Sequence, residues 1–289
     1  MRQAPPPTLG DYCRALPQHL LPQHALSRLV HAVTRSRRPW LRKRLIDGFL
    51  NRFPVELSEA ERENPGDYDS FNDFFSRALK PDARPLANAP VLSPVDGRIS
   101  QLGQISAGRL FQAKRRWYRF EELLGRSGRQ TDFENGRFCT IYLAPHNYHR
   151  IHMPMSGQLT ALRHLPGRLF SVNPATTRVI PGLFARNERV VAEFDTKYGP
   201  MAVVMVGALL VGSIETVWTG EITPPTRLQA RELPLPPASQ RALAQGAELG
   251  RFNMGSTVIL MLPEGAPAFD RRLYPTAALR MGQALVQGD

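Results

Sequence analysis

Three observations predict an α+β fold, with amphipathic helices at the N-terminus followed by a mainly antiparallel β-rich domain. Between residues 15 and 50, leucines and other apolar residues recur at three- and four-residue spacings among arginines, which is helical patterning. From residue 91 onward the apolar segments shorten, become rich in β-branched types and are punctuated by Gly and Pro, as in an antiparallel sheet system. Between the two, 80–94 carries four prolines and reads as an extended connection, which puts a boundary near residue 85. With 289 residues and 42% hydrophobic content, the chain can bury one substantial core with a smaller appendage.

Taken in order, the N-terminal helices should break near Pro22 and Pro39. Ser70-Phe71-Asn72-Asp73 resembles a capping box, opening a short helix through Phe74, Phe75 and Leu79 that stops before Pro81. Strands are expected at 138–143, 150–153, 158–164, 189–194, 201–206, 211–218 and 257–262. The longest apolar run, 201–214, contains two glycines and is too short to span a bilayer; it reads as buried strands meeting at Gly207 or Gly212. The stretch 223–237 has five prolines and reads as a surface excursion, and 238–245 as a helix. There is no internal repeat and no low-complexity tract.

The formal charge of +12 is unevenly placed. Residues 1–52 hold ten cations, from Arg2 to Arg52, against Asp11 and Asp47, a net of +8. Such an arm suits nucleic acid or an anionic membrane surface. Aromatic residues interleaved with the cations, which stacking on bases requires, are almost absent, and this weighs against nucleic acid. A basic helix with a leucine face and Trp40 at its border fits the interface of an anionic leaflet. An ordinary helical subdomain with its leucines on the core would show the same spacing. Cys13 and Cys139 are far apart and form no CxxC, which excludes a disulfide framework or zinc finger and suits a reducing cytosol. Pro5-Pro6-Pro7 interrupts any apolar segment after the first residues, so no secretory signal is expected.

The chemistry centres on Phe252-Asn253-Met254-Gly255-Ser256-Thr257-Val258-Ile259-Leu260, a hydroxyl pair directly after a glycine at the head of a strand. Without a Cβ, Gly255 permits a strained turn and lets a hydroxyl approach its carbonyl carbon; a plain turn into a core strand has the same sequence. Two other stretches matter: Asp96-Gly97, and the histidines His146, His149 and His152 at three-residue intervals. No metal is expected, because HExxH is absent and three-residue steps along a strand alternate faces. An Asp, a His and a Ser are the parts of an orienter, base and nucleophile. Yet Ser256 lies in no G-x-S-x-G elbow, so an α/β-hydrolase is not expected.

These stretches, together with Tyr148-His149-Arg150-Ile151-His152-Met153-Pro154, Leu183-Phe184-Ala185-Arg186-Asn187-Glu188-Arg189 and Val211-Gly212-Ser213-Ile214-Glu215-Thr216-Val217-Trp218, closely resemble bacterial phosphatidylserine decarboxylase, a pyruvoyl-dependent, membrane-associated family. The resemblance runs from about residue 40 to Gln283. One departure is Met254, where the family more often has leucine, a volume-conserving change. His146 is not a position the family pattern requires.

The resemblance implies a zymogen that processes itself. Ser256 would attack the Gly255 carbonyl, with His152 taking the hydroxyl proton and Asp96 orienting that imidazole. β-Elimination and hydrolysis would then leave a pyruvoyl group at position 256, the covalent cofactor, and split the chain between 255 and 256. The 34-residue small chain would stay with the large one. A Schiff base between the substrate amine and this ketone would carry the electrons left when phosphatidylserine loses CO₂ to become phosphatidylethanolamine. His149 is the candidate acid for reprotonating Cα, although His149 and His152 could share or exchange roles. The resemblance further implies a helical membrane-associating region over 1–85 and a catalytic domain over 86–289. It also implies a homodimer, and peripheral attachment on the cytoplasmic side of the cell membrane. Arg186 and Arg189 are available for the lipid phosphate, or for ion pairs with Glu188 or Glu193. Two competing readings use the same residues: a serine hydrolase, whose chain would stay intact, and a non-enzymatic β-rich membrane adaptor.

Overall fold

Proline decides where the N-terminal helices begin: Pro39 occupies the first turn of one, where its missing N–H costs nothing, and Pro22 precedes another. The computed structural model describes residues 6–113, 116–125, 130–210, 213–223 and 229–287. It has α1 (Leu9–Ala15), α2 (Gln23–Thr34) and α3 (Pro39–Arg52) in this region, with a 3-10 turn (Leu16–His19) after α1. Arg2, Val211, Gly212 and 224–228, singled out in the sequence, lie outside the described residues. Helix α4 (Phe71–Phe75) is capped by Ser70, whose hydroxyl accepts from the Asp73 amide. It ends before Leu79, which pairs instead with Ala60 in an isolated antiparallel bridge.

The rest of the chain is mostly antiparallel strand: β1 (Gly97–Gln104), β2 (Arg109–Ala113), β3 (Arg116–Arg119), β4 (Arg137–Leu143), β5 (Arg150–His152), β6 (Gly157–Leu165), β7 (Arg189–Thr196), β8 (Gly199–Val206), β9 (Ile214–Thr216), β10 (Gly220–Glu221), β11 (Arg231–Glu232), β12 (Ala242–Leu243), β13 (Glu248–Phe252), β14 (Ser256–Leu262) and β15 (Ala278–Leu279). Short helices α5 (Phe120–Leu124), α6 (Pro174–Val179) and α7 (Leu183–Arg186) are interspersed. The large sheet runs β11-β6-β7-β8-β14-β4-β1-β15, with β12 also on β6; a smaller one runs β10-β9-β13-β5, and β2 and β3 form a hairpin. The apolar run beginning at Met201 is strand β8 and divides at Gly207, whose N–H donates to the Glu188 carbonyl.

The segment 238–245 differs from its predicted helix. It opens with a 3-10 turn (Ala238–Gln240) and continues as β12, paired with Gly157 and Gln158. Pro236 and Pro237 stand before it, and Gly246 takes a left-handed φ of 81° directly after, so only a short segment is left between them. Alanine-rich composition favours a helix, but a free sheet edge supplies the hydrogen bonds here.

Period-2 alternation divides β14 between two cores. Val258, Leu260 and Leu262 pack with residues of the small sheet, including Ile151, Leu249 and Phe252. Ile259 and Met261 pack on the opposite face with Leu110, Tyr118, Phe120 and Phe184. The large sheet is thus covered on both sides, which explains the near-continuous apolar runs of β8 and β14. A third, aromatic cluster joins Ile46 of α3 to Tyr68, Phe71, Phe74 and Phe75. Met254 packs against this cluster and against the second core, so the turn before Ser256 sits where the helical region meets the sheet.

Candidate active site

The peptide between β13 and β14 crosses from the small sheet to the large one. Ser256 opens β14 opposite Leu143, completely buried, and its Oγ has no hydrogen-bond partner. Asn253 anchors the crossing. Its amide donates to the Ser213 carbonyl at 3.0 Å, its Nδ2 to the Ser213 hydroxyl, and its Oδ1 accepts from Asn72 Nδ2 at 3.1 Å. Arg35, just past α2, also donates to the Ser213 hydroxyl, at 3.0 Å. Gly255 itself has no left-handed φ, so the expected backbone strain is not what the glycine provides. A Cβ built there would lie 3.8 Å from His149 Nε2 and 3.6 Å from the Leu143 carbonyl oxygen, ordinary contact distances. The absent side chain leaves the imidazole and the backbone facing each other directly.

His149 reaches this position because the 144–147 turn after β4 is tight: Asn147 Oδ1 accepts from the Ala144 amide at 2.8 Å, and the Asn147 amide returns to the Ala144 carbonyl at 3.0 Å. The Phe252 amide then donates to the His149 carbonyl at 3.0 Å, fixing its backbone to the end of β13. The ring packs against Phe75, centroids 4.1 Å apart. Its Nδ1 hydrogen-bonds the Asn147 carbonyl at 2.8 Å, which as an acceptor requires a proton on Nδ1. Nε2 is buried and has no partner. Burial pushes the pKa of His149 down to about 3, the Asn147 carbonyl opposing and the charge of Arg77 assisting. The result is a neutral imidazole with a bare acceptor nitrogen beside Gly255.

His152 and Asp96 are held elsewhere. Nδ1 of His152 donates to the Gly246 carbonyl at 2.8 Å and Nε2 accepts from the Tyr148 hydroxyl at 2.9 Å, so both ring nitrogens are engaged. Burial lowers its pKa, partly offset by the Gly246 carbonyl and by the charges of Glu248 and Asp96. The Asp96 carboxylate accepts from Arg84 at 2.9 and 2.6 Å and from the Met281 amide at 2.8 Å. It therefore acts on His152 through charge alone. Arg84 continues to Glu59 at 2.8 Å. His146, half-buried, offers its carbonyl to Arg77 Nη2 at 3.1 Å.

Of the two expectations for Arg186 and Arg189, the ion pairs do not form, since Glu188 pairs with His164 and Glu193 with Arg163. Arg189 is buried and donates to three backbone carbonyls, those of Leu123, Asn187 and Glu122, so its donors are occupied within the fold. Arg186 lies over the Phe170 ring, 5.3 Å from its centroid. Sequence reasoning missed Phe75, Arg77 and Arg84 as members of the site. Phe75 ends α4 and Arg77 lies just after it, both within the helix expected through Leu79, and Arg84 lay in the connection; no local pattern marks any of them as site residues.

A family model described as phosphatidylserine decarboxylase matches residues 71–287, and a second, described as PSD, matches residues 13–54. Curated relatives named phosphatidylserine decarboxylase proenzyme include one from Nitrosococcus oceani, 52% identical over 96% of this chain and 92% of the relative. One from Azotobacter vinelandii is 50% identical over 96% and 99%, and one from Saccharophagus degradans 48% identical over 93% and 95%.

Proposed function

The chain belongs to the phosphatidylserine decarboxylase family, and from that premise we propose that it decarboxylates phosphatidylserine with a pyruvoyl group made from its own Ser256. One observation carries this: among the described residues Ser256 Oγ and His149 Nε2 are both buried without hydrogen-bond partners, the first in the residue after Gly255 at the head of a core strand and the second 3.8 Å from where a Gly255 Cβ would lie. Other buried side-chain atoms are also unpartnered, Thr257 Oγ1 among them, but these two stand at one peptide and have complementary chemistry. Here they are an unused nucleophile and an unused base.

His149 accepts the Ser256 proton as Oγ bonds to the Gly255 carbonyl carbon and passes it to the Ser256 nitrogen as the peptide C–N bond breaks, leaving an ester and a free amine. Loss of the Cα proton of Ser256 then breaks the Cβ–Oγ bond, freeing Gly255 as a carboxylate. Water replaces the remaining nitrogen, which leaves as ammonia. When present, the pyruvoyl ketone gives the electrons left by departing CO₂ a place to go, through a Schiff base with the substrate amine. His149, still beside position 256, relays one solvent proton to Cα in each turnover, replacing the CO₂ that has left. Asp96 and His152, which the resemblance joins to Ser256, are proposed as an outer pair whose charge and hydrogen bonds hold the loop bearing His149. Both products stay together because β14 is hydrogen-bonded between β4 and β8.

The substrate remains in its leaflet, so residues 1–85 are proposed as the membrane-associating region, acting peripherally from the cytoplasmic side, with 86–289 catalytic. No described helix is long and apolar enough to cross a membrane. Exposure supports interfacial docking: Leu9, Leu16, Leu20, Leu29 and Trp40 all face solvent. Intact mass under denaturing conditions tests the core of this proposal. Two chains divided between Gly255 and Ser256 are expected, the smaller one blocked at its N-terminus, and Ser256→Ala should leave one chain without activity. A decarboxylating preparation with Ser256 intact in a full-length chain overturns it.

A further inference from the structure

Arg77 is a buried charge beside the loop that carries His149. It is 3% exposed, and its one side-chain hydrogen bond runs from Nη2 to the His146 carbonyl; Nε and Nη1 are buried without partners. The acids whose charge it feels, Asp96 and Glu59, are both already paired with Arg84. The Phe74 ring, its centroid 5.9 Å from Arg77 Cζ, and the more distant acids offset its desolvation only in part, and a guanidinium buried without a counter-ion of its own is disfavoured. Arginine also stays protonated when buried, so it cannot relieve that cost by neutralising as lysine does.

Its position gives the charge a use. Ser76, immediately before it, accepts at its carbonyl from Arg150 Nε at 3.0 Å, and Phe75 packs on the His149 ring. Arg77 thus stands behind the 144–149 loop that presents Nε2 to Gly255, close enough for its charge to act on both His146 and His149. A lipid whose amine is joined to position 256 carries two oxyanions near that amine, the serine carboxylate and the phosphate. We propose that the free donors of Arg77 receive one of these headgroup oxyanions in the processed enzyme, an inference that rests on the decarboxylase reading above. Charge-assisted hydrogen bonds to carboxylate or phosphate are the strongest that arginine makes. The bound anion would also supply the counter-charge that the free protein lacks.

The test compares processed wild type with Arg77→Gln in detergent micelles, using phosphatidylserine or phosphatidylethanolamine as probe. The signal is reductive trapping of the lipid amine on the small chain, read by mass. Phosphatidylethanolamine keeps the phosphate and lacks the carboxylate. A rise of about tenfold or more in the half-saturating concentration of phosphatidylserine alone assigns the carboxylate, and the same rise for both lipids assigns the phosphate. No change with either lipid overturns the proposal. Should Arg77→Gln remain uncleaved, wild type carries the test: inorganic phosphate at constant ionic strength should displace phosphatidylserine from trapping where chloride does not. Equal effects of the two salts then overturn the proposal. Failure of wild type to trap either lipid is a separate result, which removes the ketone and the proposal together.

Discussion

In α2 the buried positions are Gln23, Ser27 and Thr34, while Leu29 stands 61% exposed and Leu20, just before the helix, 89%. In β14 every residue from Ser256 to Leu262 is buried, and alternate side chains fill two different cores. The polar face of α2 is functional packing: Gln23 donates to the Gln18 carbonyl at 2.7 Å and accepts from the Leu169 amide at 2.9 Å, while Gln18 accepts from the Ser171 amide at 2.8 Å. Helix α2 is thus attached to the rest of the chain through its polar face, leaving Leu20 and Leu29 for something else, whereas α3 packs Ile46, Phe49 and Leu50 into the aromatic cluster. An apolar side chain that the protein's own core does not use gains its transfer free energy only from another apolar phase. β14 has the opposite need, since it must hold its place after the peptide bond at its head is gone.

Substitutions at the head of β14 should change the chemistry most. His149→Ala should slow self-cleavage by roughly 10²- to 10⁴-fold, the usual contribution of a positioned base. His152→Ala should still yield two chains, more slowly, because its ring touches Tyr148 and Gly246 and not the cleavage turn. Denaturing electrophoresis over time reads both, after circular dichroism has shown an unaltered fold. Precursor accumulating in His152→Ala, with normal cleavage in His149→Ala, would return the base to the residue that the family resemblance names.

A second contrast separates stability from docking. Leu260→Ala, made in the Ser256→Ala background so that the chain stays single, should cost about 2–5 kcal/mol in urea unfolding, as a cavity in a two-sided core does. Leu20→Ser with Leu29→Ser should change stability by less than about 0.5 kcal/mol. The same pair should weaken sedimentation with anionic vesicles several-fold, since the apolar contact with the leaflet is lost. Comparable destabilisation by both variants would mean that the α2 leucines are core after all.

What could be read from the sequence follows from where the information is local. The helix breaks at Pro22 and Pro39, the cap at Ser70 and the strand after Gly255 are written in neighbouring residues, and the structure has them. Leucine spacing in 15–50 could not tell an inward from an outward face, because periodicity gives a stripe and not its direction; around α2, Gln18 and Gln23 turn inward through partners about 150 residues away, while in α3 the apolar residues Ile46, Phe49 and Leu50 do. The helix expected at 238–245 gave way to pairing with β6, again a distant partner. Within the site, Gly255, Ser256, His149, His152 and Asp96 stood out by type and motif. Their mutual arrangement did not, since it depends on Arg84 taking the Asp96 carboxylate and on Tyr148 and Gly246 taking the His152 ring.

The smallest expected effect is a pH dependence, and it sharpens the account of the buried head of β14. His149 titrates near 3 in the folded protein and near the ordinary 6.5 when unfolded, because burial disfavours its charged form. Between those values the unfolded chain binds the extra proton, so stability rises with pH there; the penalty is absent above 6.5 and grows as pH falls. At pH 5 it amounts to about 2 kcal/mol. Burial also lowers His152 and His146 and pushes stability the same way, whereas Asp11 and Asp270, lowered chiefly by hydrogen bonds from Arg178 and Arg272, act only below the carboxylate range. The window from 6.5 to about 5 therefore belongs to histidine, because Glu56, lowered by the Ser58 hydrogen bonds, and Glu59, whose burial is outweighed by Arg84 and Arg280, add their loss below it. Urea unfolding of uncleaved Ser256→Ala protein at pH 7.5 and pH 5 should show the loss, and adding His149→Gln should remove about 2 kcal/mol of it whatever the substitution does to absolute stability. Equal pH dependence in the two proteins would mean that His149 is hydrated or charged in the fold. It would then have no bare neutral nitrogen to take a proton from Ser256.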